Sequence, residues 1–391
     1  MFLIEFVSSS DQGAEGGEEK KKEEGEEQKT EEIEAAPKLE EAKQETAQPE
    51  PPAQSPLPSD SQKPAPSVSN SSPASPPISP PTTSPDEEKL KQDRERLNKA
   101  IQKILKFKGP TLINDEEYLY TRLHYRIFRE KEIASGTYSA FYKCTNVERQ
   151  EHVVKCTSLS SPTPLKYKEN VLNTSSKICR YLGENPHPNI IQFYDIFASP
   201  TKAYFFMELL TGGNLESWVR GRRKALKEDD IRKFCRDIAE AINFLFICGI
   251  AHRAIKPNHG VFTAQRNYVK LGGFGMATLI WDSVKSAHIK QKKVARDEWQ
   301  PFMAPETLKN DYDPVVSDVW SFGVLIIHLL TGKPPFDART KNFEKYWETH
   351  CRRRDFIPSP ELKDLMSKIF VVDPSERMNI SSLLHQPWLN A

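Results

Sequence analysis

The stretch HRAIKPNHGVFTAQRNYVKLGGFG, residues 252–275, decides how the chain is interpreted, because strand-like runs precede it and long helical patterns flank it. Helical periodicity dominates residues 228–248 on one side and residues 315–330 on the other. Strands first and helices later predict an α+β fold with a small, antiparallel β lobe and a larger, mainly helical lobe. The alternating runs that predict strands are residues 138–144, 152–156, 191–197 and 203–209.

The amino-terminal part of the chain has a different composition. Residues 1–50 hold six Lys and sixteen Asp or Glu, whereas the whole chain has a formal net charge of +1. Thirteen of the 30 prolines then fall between Pro49 and Pro85, mixed with serines. Segments with so few apolar residues cannot bury enough surface to offset chain entropy. Residues 1–83 are therefore predicted to be a disordered arm, first acidic and then Pro/Ser-rich.

An amphipathic helix is predicted over residues 84–109. Ser84 is a good N-cap, and Pro85 suits the first helical turn. Apolar residues then recur at helical spacing, which requires a surface to bury them: Leu90, Leu97, Ile101, Ile104 and Leu105. Two alternatives are open: the helix docks on the folded domain of its own chain, or it pairs with a partner helix.

Composition also limits the cellular compartment and the partners that are expected for the protein. No run approaches the roughly 18 apolar residues of a membrane span. The six cysteines contain no C-x-x-C pair, which favours buried, reduced thiols and a cytoplasmic or nuclear protein. The basic clusters lack interleaved aromatic residues, so nucleic acid is not an expected partner.

Several short motifs, in a fixed order and spacing, carry a more specific signal. They are the loop at residues 133–141, Val154-Lys155, residues 187–191, Met207-Glu208, residues 212–215, residues 252–257, Phe274-Gly275, Ala304-Pro305-Glu306, residues 318–323 and Arg377. In this order and spacing of motifs, residues 122–389 resemble the protein kinase family. The style is similar to the calcium/calmodulin-dependent kinase group, and its testis-specific serine kinase branch is the finer placement.

The resemblance assigns structural roles to part of this set. It implies that Asp318 buries its carboxylate against the backbone of the loop at residues 252–257. It also implies that Glu306 pairs with Arg377 in the helical lobe. His252 and Phe274 match members of the apolar spine that links the two lobes. All of these residues hold a fold together.

Three other positions depart from the family pattern. Ala254 stands where the family has the Asp that accepts the substrate hydroxyl proton. Gly273 and His259 stand where the family has the Asp and Asn that hold magnesium, a metal that prefers oxygen ligands. The helix-C position expected to pair with Lys155 falls near Ser175, and the nearest acidic residue is Glu169.

The nucleotide site is altered as well. Lys155, Gly136, Met207, Glu208 and Val261 match a vestigial ATP site, in which Lys155 corresponds to the lysine that contacts the phosphates. Only Gly136 remains of the three glycines of the phosphate loop, and Phe141 and Val153 enlarge the adenine slot.

The sequence therefore predicts a degenerate member of the family, a pseudokinase that is not an enzyme. Its expected role is that of a scaffold or allosteric regulator of a signalling partner, with an active protein kinase as the natural choice. No cofactor or metal is expected. Two alternatives are open: a nucleotide sensor that binds ATP without magnesium and without phosphotransfer, and a weak, unconventional Ser/Thr kinase.

Overall fold

The computed structural model describes residues 85–222, 226–293, 300–309, 311–337, 340 and 342–391. The arm predicted over residues 1–83 lies outside these ranges. Within them, a sheet-rich lobe is followed along the chain by a helix-rich lobe, which confirms the predicted α+β, two-lobed fold.

The small lobe is built on a six-stranded sheet with the order β1-β5-β6-β4-β3-β2. Four neighbouring pairs are antiparallel, as predicted for the small lobe, and the two-residue strand β1 adds a parallel pair with β5 at one edge. The extra strand comes from the segment that precedes the kinase-like region, where the sequence has no alternating run. The strands are β1 Thr111–Leu112, β2 Arg126–Gly136, β3 Ser139–Thr145, β4 Glu151–Ser158, β5 Phe193–Ala198 and β6 Lys202–Glu208.

The two faces of this sheet bury different clusters because successive side chains of a strand point to opposite faces. On the outer face, Val154 and Phe206 pack with Leu119 of the short helix α2, Glu117–Thr121. On the inner face, Val153 and Phe205 join the main core that continues into the large lobe. The same alternation places Lys155 on the inner face, toward the cleft between the lobes.

Helix C, residues 165–184, connects β4 to β5 and has three parts. It begins as α3, Leu165–Glu169, passes through a π-helical turn, Asn170–Ser175, and ends as α4, Ser176–Glu184. A π turn widens the helix, so residues five apart come onto one face.

The large lobe is organised around helix α7, Pro314–Thr331, whose residues are nearly all buried. By length and a mean hydropathy of 1.6, α7 is the one described helix that would suit a membrane, but 89% of it is buried inside the fold, as in a core helix. The other helices of this lobe are α5 Leu215–Arg220, α6 Glu228–Ile247, α8 Phe343–Arg353, α9 Pro360–Ile369 and α10 Pro387–Asn390.

Short β ribbons shape the cleft-facing side of the large lobe. They are β7 Ile250–Ala251 with β10 Thr278–Leu279, β8 Gly260–Phe262 with β9 Val269–Leu271, and β11 Trp281–Asp282 with β12 Ala287–His288. The loop at residues 252–257 leaves β7, and the segment at residues 272–277 joins β9 to β10. The two stretches are therefore held side by side.

Helix α1, Pro85–Lys106, lies within the residues for which an amphipathic helix is predicted. Leu97, Ile101 and Ile104 of the predicted stripe are buried in the main core, whereas Leu90 and Leu105 are exposed, so the buried stripe is narrower than predicted. The first of the two alternatives, docking on the chain's own folded domain, is therefore the one that the structure shows. The six cysteines are free and buried, as predicted.

Candidate active site

Asp318 fixes the backbone of the loop at residues 252–257. Its carboxylate accepts the backbone N–H groups of His252 at 2.7 Å and of Arg253 at 2.8 Å. Burial raises the pKa of Asp318 to about 7, although both hydrogen bonds act in the opposite direction. Arg253 adopts a positive φ of 63°, a strained conformation that these contacts hold in place. The role that the resemblance implies for Asp318 is confirmed.

Glu306 and Arg377 form the expected buried pair. Two guanidinium nitrogens of Arg377 donate to the two carboxylate oxygens of Glu306, at 2.5 and 2.9 Å. The side chain of Glu306 is 3% exposed and that of Arg377 is 0% exposed, so this bidentate pair is shielded from water.

His252 connects the loop to the segment that follows β9. Its Nε2 donates to the carbonyl oxygen of Gly272 at 2.7 Å, while its Nδ1 accepts the N–H of Ala254 at 3.3 Å. Burial lowers the pKa of His252 to about 4, so the ring is neutral near pH 7. The ring packs edge-on against Phe274 at a centroid distance of 4.9 Å, and Phe274 packs against Phe193 at 5.7 Å. This stack is the predicted link between the lobes.

Ala254, His259 and Gly273, which are separate in the sequence, form a single cluster. Nδ1 of His259 donates to the carbonyl oxygen of Ala254 at 2.7 Å. Gly273 has a φ of +83°, and a Cβ on it would lie 2.6 Å from Cδ2 of His259 and still nearer to Nδ1 and Cγ. The His259 ring therefore occupies the space that any side chain at position 273 would need.

The charge of this cluster is unusual for a phosphoryl-transfer centre. Burial, and next the neighbouring Lys256, hold the pKa of His259 well below its usual range. Burial also lowers the pKa of Lys256. Among the described residues, no group of three or more His, Cys, Asp or Glu side chains is arranged to hold a metal ion. Because Gly273 carries no oxygen ligand and Nδ1 of His259 is bonded to the backbone, these residues do not fit magnesium.

Lys155 reaches the cleft without its usual partner. It lies at the centre of β4, opposite Phe141 on β3 and Phe205 on β6. Its Nζ is 5.8 Å from the centroid of the Phe141 ring. Among the described residues, no carboxylate lies within ion-pair distance of Lys155, and Glu169 is exposed.

The helix-C position expected to carry the partner carboxylate has a different task. Ser175 is buried, and its Oγ donates to the carbonyl oxygen of Phe274 at 2.8 Å. One π turn earlier, Nδ2 of Asn170 donates to the carbonyl oxygen of Gly275 at 2.8 Å. Helix C is thus held to the 274–275 segment by two neutral hydrogen bonds, and no described carboxylate of helix C pairs with Lys155.

The cavity beside Lys155 is small. Its volume is about 40 Å³, and apolar side chains from both lobes line it, including Phe141, Phe205, Met207 and Phe274. Pockets that hold drug-sized ligands measure roughly 300–1,000 Å³. Tyr138, at the tip of the β2–β3 hairpin, packs against Tyr167 of helix C with ring centroids 5.6 Å apart. In this conformation the residues around Lys155 do not fit a nucleotide.

The remaining predicted ATP-site residues are spread around this cavity. Met207 lines it, whereas Glu208 is bound to Lys270 at 2.7 and 3.0 Å and accepts the N–H of Gln192. Val261 lies opposite Lys270 on β8, and Gly136 ends β2 in open surroundings. These three residues do not line the cavity with Lys155 and Met207.

Sequence reasoning missed Tyr138, Tyr167 and Asn170. Tyr138 and Tyr167 belong to different elements, so no periodicity connects them. Asn170 acts together with Ser175 only because the helix has a π turn at this point, and the sequence gives no signal for that turn.

The comparisons with known proteins agree with the motifs. The protein kinase domain family matches residues 127–389. Myosin light chain kinase A of Dictyostelium discoideum is 30% identical over 271 residues, which is 67% of this chain and 87% of that protein. Serine/threonine-protein kinase unc-51 of Caenorhabditis elegans is 27% identical over 272 residues, 66% of this chain and 31% of that protein.

A third relative matches a shorter stretch of the chain. The SNF-related serine/threonine-protein kinase of Homo sapiens is 30% identical over 207 residues, 52% of this chain and 26% of that protein. The chain thus spans about a quarter to a third of the length of this relative and of unc-51.

These relatives correct one expectation from the sequence. The prediction that the chain is not an enzyme is wrong, because the proteins it matches are named as protein kinases. Ala254, His259 and Gly273 are departures within a family of kinases and do not by themselves define an inactive chain. From the match over residues 127–389, the chain belongs to the protein kinase domain family.

Proposed function

We propose that the chain acts chiefly as a scaffold or allosteric regulator of a signalling partner, with an active protein kinase as the partner class. The observation that carries this proposal is the cluster of Ala254, His259 and Gly273. Its imidazole ring fills the place of a metal-binding side chain, while Asp318 and the Glu306–Arg377 pair keep the architecture. A domain that keeps the architecture of its family while a side chain fills its reaction centre is suited to binding other proteins.

A second candidate function is weak, unconventional Ser/Thr phosphotransfer. It is supported by the names of the relatives and by the two cleft lysines, Lys155 and Lys256. Neither lysine has an ion-pair partner among the described residues, although burial lowers the pKa of Lys256. A nucleotide sensor that binds ATP without magnesium would use the same two lysines.

The partner proposal is tested by capturing the tagged full chain from cells and measuring the protein kinase activity that accompanies it. Wild type and Lys155→Ala are compared, because this substitution removes the ammonium that a nucleotide phosphate would contact. Equal co-captured activity is expected. Activity that disappears with Lys155→Ala, together with labelled phosphate transfer by the purified wild type, would instead favour the second candidate.

Nucleotide binding is tested separately by the melting temperature with ATP, in magnesium and in a chelator. Because the cavity is small, neither condition is expected to shift it. A ligand at a hundredfold excess over its Kd adds about 2.7 kcal/mol, so true binding would be visible. A shift in chelator that Lys155→Ala abolishes would support the magnesium-free sensor.

The finer placement also stays a prediction. Similarity to the calcium/calmodulin-dependent kinase group and its testis-specific branch rests on the style of the motifs. Residence in the cytoplasm or nucleus rests on the free, buried cysteines.

A further inference from the structure

Residues 97–112, which we call the strap, run from the second half of α1 through β1 and contact helix C at Leu172 and near its carboxyl-terminal end. The amino-terminal part of the strap, which belongs to α1, is fixed to the large lobe. A Cβ on Gly249, which has a φ of +77°, would lie 2.7 Å from Cδ1 of Ile101. Nε1 of the buried Trp281 donates to Oδ1 of Asn98 at 2.6 Å. The large lobe is therefore shaped to receive this face of α1.

The next part of the strap contacts the carboxyl-terminal end of helix C. Nζ of Lys103 donates to Oδ1 of Asn185 at 2.7 Å, and it also lies 5.4 Å from the centroid of the Tyr181 ring. Phe107 packs edge-on against Tyr181 at 6.3 Å. Polar and aromatic contacts thus fix the same turn of α4.

The end of the strap reaches the middle of helix C and the sheet. A Cβ on Gly109 would lie 3.0 Å from the carbonyl oxygen of Leu172 in the π turn, so the two backbones approach closely. Arg180 donates from one guanidinium nitrogen to Oγ1 of Thr111 at 2.9 Å and to the carbonyl oxygen of Ile196 at 2.8 Å. The strap therefore contacts helix C at two places, residues 180–185 and Leu172.

On the cleft side of helix C, the restraints among the described residues are neutral. Lys155 pairs with no described carboxylate, and Ser175 and Asn170 supply one hydrogen bond each to residues 274–275. We propose that the strap replaces the missing ion pair: it holds helix C against the 274–282 segment, and displacement of α1 is the event that releases helix C. A helix that is restrained from behind cannot swing outward while the strap is docked.

This arrangement also couples α1 to the segment after Phe274. Trp281, which receives α1, begins β11 only a few residues beyond the carbonyl groups that Ser175 and Asn170 bind. A protein that withdraws α1 from its groove would therefore loosen helix C and the 274–282 segment together. The inference does not depend on whether the cleft binds nucleotide.

The test is hydrogen–deuterium exchange of the full chain with Ile101→Asp, which places a charge at a fully buried contact. Residues 97–106 and residues 170–184 are both expected to exchange at least about tenfold faster, while α9 keeps its protection, because the opening is local. Gln102→Asp, at the neighbouring exposed position, is the matched control and is expected to stay within about twofold of wild type.

Asn98→Ala tests the same proposal with a milder change, in case Ile101→Asp unfolds the whole domain. Loss of one hydrogen bond is expected to raise exchange in both segments by about three- to tenfold. Faster exchange in residues 97–106 with unchanged protection in residues 170–184 would overturn the proposal for either variant.

Discussion

The polar core of the large lobe and the centre of the cleft satisfy their buried polar groups in different ways. In the core, charged side chains are matched with donors: Asp318 accepts two backbone N–H groups, and Glu306 binds Arg377 through both oxygens. In the cleft, a neutral imidazole bonds to a backbone carbonyl and lies over a glycine. The support of the fold is therefore separable from the chemistry of the cleft, and each half can be tested alone.

The largest expected effect lies in the core. Glu306→Ala leaves the Arg377 guanidinium buried without its carboxylate, which is expected to lower the free energy of unfolding by about 3–5 kcal/mol. Urea denaturation measures the loss. The control is Asp364→Ala, which removes the exposed pair with Lys368 on α9 and is expected to cost about 0.5 kcal/mol or less. If the two variants lost similar amounts of unfolding free energy, the buried pair would stabilise the fold no more than the exposed pair does.

The next effect concerns the cluster in the cleft. Gly273→Ala introduces a Cβ against the His259 ring at a positive φ, and a loss of about 1–3 kcal/mol is expected. Gly136→Ala is the matched control, because a Cβ there would meet only the carbonyl oxygen of Ser139 at 3.8 Å. It is expected to change stability by less than about 1 kcal/mol.

A double-mutant cycle separates the collision from the backbone strain. In a His259→Ala background the ring is gone, so Gly273→Ala is expected to cost less, by roughly 0.5–3 kcal/mol. Full additivity would show that the two residues do not compete for the same space.

The sequence predicted the core better than the cleft, for a physical reason. Motif residues such as Asp318, Glu306 and Arg377 act through fixed partners in the family, so their identity predicts their contacts. The strands and the long helices follow from periodicity, and β4 places Lys155 correctly because its alternation is regular. Ala254, His259 and Gly273 are visible in the sequence only as departures. That one imidazole contacts both other positions depends on backbone geometry that no spacing encodes.

Two further features were beyond sequence reasoning. The π turn of helix C brings Asn170 and Ser175 onto one face, and the stretch NVLNTS carries no signal for it. Residues 107–122 have no periodicity, yet they supply β1 and α2 and complete the sheet. The α1 stripe predicted a need for burial, but the groove beside Gly249 and Trp281 exists only once the fold is formed.

A smaller effect tests the link between helix C and the cleft segment. Ser175→Ala removes a 2.8 Å hydrogen bond to the carbonyl oxygen of Phe274, which keeps a second donor in the N–H of Ala277. A loss of about 1 kcal/mol in the free energy of unfolding is expected, with no change for the exposed control Ser160→Ala. If Ser175→Ala had no effect, the two neutral hydrogen bonds would not be what holds the front of helix C.

The last effect is a change in pH dependence that isolates the imidazole of the cleft. The folded-state pKa of His259 lies below its ordinary value, so the unfolded chain binds a proton that the folded chain refuses as the pH falls below about 6.5. His252, with a folded pKa of about 4, acts in the same direction, and stability contributed by both rings is lost on acidification. Asp318, with a folded pKa of about 7, has the opposite sign, since its contribution is lost as the pH rises from about 4 to 7.

His259→Asn removes one of these contributions and leaves the other two in place. The variant is therefore expected to lose less stability than wild type between about pH 7 and about pH 5, as measured by urea denaturation at both values. His252 and Asp318 contribute equally to the pH dependence of both proteins, so their contributions cancel when the two losses of stability are compared. An equal or larger loss in the variant would mean that His259 takes up a proton in the folded state. The ring would then be a charged group of the cleft, and the contrast with the polar core would fail at its central residue.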